Sequence, residues 1–116
     1  MAARYLLDTD VLSGLVRQPQ GPIAHQLARV GEHRICTSIV VACEMRYGAA
    51  RSGSRRLTRQ VDAVLNALEV LALEADVDRH YAAIRNALER KGLSIGANHL
   101  LIAAHARSLG AVCVTH

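Results

Sequence analysis

At 116 residues and 51% hydrophobic side chains, the chain carries enough apolar surface for one continuous core and therefore one domain, residues 1–116. Its only aromatic residues are three tyrosines, so the core must be filled by Leu, Ile, Val and Ala, a mixture suited to helices packed on a small sheet. The formal charge of +4 comes almost entirely from arginine, which fits a polyanionic or acidic partner as well as a solvated surface, and no apolar run approaches the roughly 18 residues of a membrane span.

In chain order, Arg4-Tyr5-Leu6-Leu7 reads as a short buried strand stopping at Asp8-Thr9-Asp10, and Val11 to Val16 continues with helical apolar spacing. Either aspartate has the chemistry to cap that helix, with Asp10 the favoured capping residue. After the break at Gln18–Pro22, Ile23, Leu27 and Val30 fall at helical intervals and Gly31 closes the segment. A second strand is expected at Arg34–Thr37, with Ser38 opening a helix to about Ala50. Another amphipathic helix runs from Arg55 to Leu68, and a third strand follows at Glu69–Leu73. Helices at Asp76–Lys91 and Ala97–Leu109 precede a fourth strand at Ala111–Val114. Strands alternating with helices imply a mainly parallel sheet covered on both faces.

The three cysteines, Cys36, Cys43 and Cys113, lie inside apolar segments and read as small core residues of a reducing compartment, so a cytoplasmic protein is expected. His25, His33, His80 and His105 have no metal-ligand spacing with one another and read as surface or satisfied histidines.

In an open parallel sheet the working groups collect at the carboxyl ends of the strands. Asp8 stands at such an end, Glu44 lies in the first turns of the helix after the second strand, and His99 starts the helix before the fourth. Carboxylates gathered there suit Mg²⁺ or Mn²⁺, which prefer hard oxygen ligands and bridge to substrate phosphates. Glu44 sits among Val40, Val41, Cys43 and Met45, so its charge calls for Arg46, another cation or a metal. Arg51, Arg55, Arg56 and Arg59 make the densest basic patch, either a track for RNA phosphates or a solvated helix face paired with Asp62. No aromatic cluster interleaves these arginines and base stacking by Phe or Trp is unavailable, so the sequence supports no sequence-specific reading of single strands.

Five stretches, kept in order and spacing, resemble the PIN-domain ribonucleases of the VapC toxin type. They are Leu6-Leu7-Asp8-Thr9-Asp10-Val11-Leu12, Glu44-Met45-Arg46-Tyr47-Gly48, Tyr81 to Arg85 with Leu88-Glu89 and Gly92, Ile95 to Ala106, and Val114-Thr115. The resemblance implies a three-layer α/β/α sandwich around a parallel sheet and an endoribonuclease dependent on Mg²⁺ or Mn²⁺. It also implies a homodimer held inactive by a cognate VapB-type antitoxin. The family's acidic positions map onto Asp8, Glu44 and, in place of an expected aspartate, His99; the fourth would follow Thr115-His116, and the family's final helix and strand would lie beyond it. Imidazole removes a negative charge and offers a nitrogen that Mg²⁺ disfavours. Position 99 is then either a ligand shifting the site toward Mn²⁺ or Zn²⁺, or a lesion in which the ring hydrogen-bonds the neighbouring carboxylates and cleavage is weakened or lost. Two other classes remain open: a non-catalytic module that engages antitoxin or RNA, and an unrelated α/β phospho-acceptor domain using Asp8, which leaves the Glu44 and Ile95–Ala106 stretches unexplained.

Overall fold

The computed structural model describes residues 3–115. Four short strands, β1 (Tyr5–Leu7), β2 (Ile35–Ser38), β3 (Glu69–Leu71) and β4 (Val112–Val114), form one sheet in the order β3-β2-β1-β4. All three pairings are parallel, with Leu6 in register with Cys36 on one side and Cys113 on the other. Helices α1 (Thr9–Arg17), α2 (Pro22–Val30), α3 (Ile39–Ser52), α4 (Arg55–Asn66), α5 (Val77–Arg90) and α6 (Ala97–Ser108) make the crossovers.

The order of strands fixes the layers. From β1 to β3 the chain steps outward in one direction, then returns past both strands to place β4 on the far side of β1. Because such crossovers are right-handed, the reversal puts α1–α4 on one face and α5–α6 on the other. The packing agrees: α1 touches α2, α3 and α4, while α5 packs chiefly on α6. The strand order therefore switches direction at β1, and the crevice beyond its carboxyl end is where this architecture gathers ligands. The α/β/α sandwich with a parallel sheet is as expected from the sequence.

Strands of three or four residues contribute few side chains, so each must bury what it has. Leu6 and Leu7 point to opposite faces and are both fully buried, as are Cys36 and Thr37. Leu12 of α1, Val41 of α3 and Ile102 of α6 close over them. By contrast α2 buries no residue completely, its Ile23, Leu27 and Val30 resting half-covered against the core.

Most element boundaries fall within two residues of the sequence reading, and the departures with a visible cause are in α4 and β3. The fourth helix stops at Asn66: the Ala67 amide still bonds the Ala63 carbonyl, but the Leu68 amide tightens onto Leu65 and the i→i−4 ladder ends. The third strand ends at Leu71, where its pairing with Ser38 of β2 ends. Cys43 is no core residue: it lies on the outer side of α3 and is exposed, whereas Cys36 is buried and Cys113 half-buried.

Candidate metal-dependent site at the sheet switch point

Asp8 follows β1 directly, its backbone amide bonded to the Val114 carbonyl of β4 at 3.1 Å. Its extended backbone and short side chain make it the N-cap of α1, Oδ1 accepting from the Val11 amide at 3.0 Å. The cap is thus Asp8, while Asp10 sits exposed in the first turn; that corrects the assignment favoured from sequence. The physical reason is where the strand stops: β1 ends at Leu7, so Asp8 is the one residue between strand and helix, and α1 starts at Thr9 with Asp10 as its second member.

The Asp8 carboxylate is only 4% exposed, and no arginine or lysine pairs with it among the described residues. Its charge is felt by β4, where burial and the nearby Asp8 carboxylate push the Cys113 thiol pKa up. One cap bond leaves Oδ2 of a buried anion without a charged neighbour, an arrangement that suits a bound cation.

Glu44 reaches the same place from α3, which is aimed by Ser38: the last residue of β2 is also the N-cap, its Oγ accepting from the Val40 amide at 3.1 Å. Thr9 Oγ1, next to Asp8, donates to Glu44 Oε1. From the opposite layer, Asn98 Nδ2 at the start of α6 donates to Glu44 Oε2 at 3.4 Å. Neither neutral partner cancels the charge, and Arg46, the cation nearest in sequence, is turned to Asp62 of α4 at 2.5 Å. Thr9 and Asn98 were not singled out in the sequence; the sign available there was their adjacency to Asp8 and His99.

His99 stands apart. It is exposed, its Nδ1 lies over Gly96, 3.6 Å from where a β-carbon on that glycine would be, and no hydrogen bond joins it to Asp8 or Glu44 among the described residues. Among the described residues no group of three His, Cys, Asp or Glu side chains could hold a metal ion. Thr9, next to Asp8, and Asn98, next to His99, both donate to Glu44, which sets positions 8, 44 and 99 around one rim, with no hydrogen bond from the imidazole to either carboxylate among the described residues. Two oxygen donors without a countercharge fit a hard divalent ion; the third corner does not close with histidine in this orientation.

Sequence comparison decides the lineage. Residues 5–116 match the PIN domain family. The chain belongs to the PIN-domain family, in its VapC ribonuclease branch. It is 32% identical to ribonuclease VapC2 of Rickettsia felis over 114 residues, 97% of this chain and 85% of that one. It is 31% identical, over 97% of its length and 86% of the relative's, to the tRNA(fMet)-specific endonuclease VapC of Salmonella typhimurium. The solved structure of VapBC2 from Rickettsia felis, bound to a DNA fragment from its promoter, superposes with a TM-score of 0.89 at 31% identity, covering 96% of this chain and 85% of that one. As a VapC-type PIN domain the chain falls in the class of endoribonuclease toxins of toxin–antitoxin systems.

One buried group of this PIN domain lies behind the site. His105 of α6 is fully buried, its Nδ1 sharing a 2.8 Å hydrogen bond with Ser38 Oγ, while Nε2 has no partner among the described residues. It is therefore neither a surface histidine nor a fully satisfied one. Burial pushes its pKa down, outweighing the Ala72 backbone and the Glu74 and Asp76 charges, which favour the protonated ring. Above the unfolded value of about 6.5 both states are neutral and His105 adds no pH dependence. As pH falls through that value the unfolded chain takes up a proton that the folded one refuses, so stability should drop by up to about 1.4 kcal/mol per pH unit until the folded pKa is reached. Thermal unfolding at pH 7.5 and 5.5 checks this: the parent should lose more stability on acidification than His105→Asn, and equal losses would refute it.

Proposed function

We propose that the chain is a VapC-type toxin whose Asp8 and Glu44 carboxylates hold Mg²⁺ or Mn²⁺ for hydrolysis of RNA phosphodiester bonds, with position 99 as the third corner of the site. The observation that carries this reading is the pairing of two carboxylates, one of them buried, at the sheet switch point with only neutral partners. The bound ion supplies the charge that promotes water deprotonation and offsets the charge developing on the scissile phosphate. Asp8 is kept in place by the α1 cap, and Glu44 is oriented from both sides by Thr9 and Asn98, so neither carboxylate has to reorganise when the ion arrives. His99 lowers the charge available to that ion and so weakens its hold.

Arg51, Arg55, Arg56 and Arg59 are all exposed, and none forms an ion pair among the described residues, Asp62 being taken by Arg46. Such free guanidinium groups support the reading of this patch as a track for RNA phosphates. A VapB-type antitoxin is the partner proposed from the VapBC complexes among the structural relatives. A groove of about 440 Å³ between α1, α2 and α4, lined by Leu15, Leu27, Val64 and Leu68, offers apolar area for such a segment. A homodimer is proposed as the assembly. Among the described residues no helix is long and apolar enough to cross a membrane; a cytoplasmic location is proposed on the VapC kinship.

The test is RNA cleavage by the parent chain and by Asp8→Ala with Mg²⁺, with Mn²⁺ and with EDTA. Cleavage is expected only with metal, more with Mn²⁺ than with Mg²⁺, and Asp8→Ala should fall to the EDTA level. Metal-dependent cutting that survives Asp8→Ala would refute the site.

A further inference from the structure

Two of the three aromatic side chains are engaged inside the fold. Tyr5 lies beneath the Arg34 guanidinium, 5.2 Å from the ring centroid, and the Tyr81 hydroxyl accepts from Arg85 at 3.2 Å. Tyr47 has neither kind of partner. At 65% it is the most exposed large hydrophobic side chain among the described residues.

Helix α3 decides where that ring sits. Tyr47 is one turn beyond Glu44, and Arg51 is one turn beyond Tyr47, so the three share one side of the helix. Gly48 lies beside the tyrosine, and a β-carbon there would meet nothing within 4 Å, which leaves open space next to the ring. Across the Ser52–Ser54 turn, Arg55 and Arg59 border a separate open recess of about 350 Å³, lined from α3 by Ala49 and Ala50. Glu44 is the sole acidic residue of α3, so beyond the carboxylate this surface presents only an aromatic face and cations. That charge pattern selects a polyanion that has flat apolar groups, and single-stranded RNA is such a ligand.

We propose that Tyr47 is a stacking platform for an unpaired base of the RNA substrate: the nucleotide beside the scissile phosphate at the Asp8–Glu44 centre lays its base on the ring, and Arg51 takes the phosphate that follows. The proposal rests on reading the Asp8–Glu44 pair as the cleavage centre. Glu44 and Arg51 are separated by about 10 Å along the helix axis, room for a splayed base between two held phosphates. In A-form duplex the bases are stacked on one another and shielded from a side chain on this convex surface, so the platform discriminates for loops and single strands. It therefore contributes to choosing where the strand is cut, a role separate from holding the ion.

Binding without metal separates this idea from the cleavage reading. Fluorescence anisotropy of a short unstructured RNA and of a duplex of equal length, in EDTA, would compare the parent with Tyr47→Ala, Tyr47→Phe and the double variant Arg55→Ala with Arg59→Ala. Tyr47→Ala should weaken single-strand binding roughly 5- to 100-fold and leave duplex binding unchanged, while Tyr47→Phe keeps the affinity within about twofold. The arginine variant should weaken both RNAs and flatten the salt dependence. Unchanged single-strand affinity in Tyr47→Ala, or an equal loss for duplex, overturns the proposal. So does a Tyr47→Ala chain whose only change is oligomeric state in sedimentation, which would make the ring an interface between copies. Failure of the cleavage reading shows separately, as metal-dependent cutting that ignores Asp8→Ala.

Discussion

Replacing His99 by aspartate should raise Mn²⁺-dependent RNA cleavage at least about tenfold, because it returns a full negative charge to the rim of the site. Two unit charges about 4 Å apart interact by roughly 1–4 kcal/mol between bulk water and a protein surface, and each 1.4 kcal/mol is a factor of ten in the ion's affinity. The fold has no reason to resist. Position 99 is exposed in the first turn of α6, which has no acidic residue and no side-chain cap, so a carboxylate there gains from the helix dipole. The side chain also loses little, since the imidazole makes no hydrogen bond among the described residues. Initial rates against Mn²⁺ concentration for the parent, His99→Asp, and His99→Asp with Asp8→Ala are the measurement. The gain should take the form of a lower metal concentration at half-maximal rate and should vanish in the double variant. A rate for His99→Asp no higher than the parent's would remove position 99 from the site.

The layers of the fold were legible because the local signals agree with the global arrangement. Ser38 is a strong helix-capping residue, and it caps α3. Val61 and Leu65 mark the inner side of α4, and Gly31 takes a positive φ where the α2 pattern ends. What was illegible has a common cause. Strands of three residues have no period to read, so the boundary between β1 and α1 was free to shift by two residues, which moves the cap from Asp10 to Asp8. Helix α3 is apolar on most sides, which hides the fact that Cys43 faces outward and Glu44 stands at its edge.

The site was legible as types of residue and illegible as contacts. Asp8 and Glu44 could be named as candidates from their positions, since one ends a strand and the other is a carboxylate in an apolar helix. Position in the sequence could not give Thr9 and Asn98, whose roles arise from the meeting of α1 and α6 over α3. Nor could it show that Arg46 is drawn away to Asp62, the fact that leaves Glu44 without a countercharge. His105 illustrates the opposite error: an isolated histidine in a helix is usually at the surface, and here the crossing of α6 over the Ser38 cap buries it completely.

Leu6→Ala should cost about 2–5 kcal/mol, a large share of the roughly 5–15 kcal/mol that holds a domain of this size together. Leu6 is fully buried at the middle of β1, one of the two strands with a neighbour on both sides, so the hole has little freedom to collapse. For a domain of this size the loss should lower the melting temperature by roughly 10–20 °C. Leu27→Ala on α2 is the contrast, since that half-covered side chain lies on a helix with no fully buried residue and should cost under about 2 kcal/mol. Thermal unfolding of the two variants at neutral pH compares them, and equal shifts would mean that β1 is not the mechanical centre of the domain. The consequence reaches the site because Asp8 is held at the end of that strand by the Val114 carbonyl on one side and the α1 cap on the other. A loosened β1 lets that carboxylate wander relative to Glu44, so below its own melting transition Leu6→Ala should bind Mn²⁺ more weakly than Leu27→Ala.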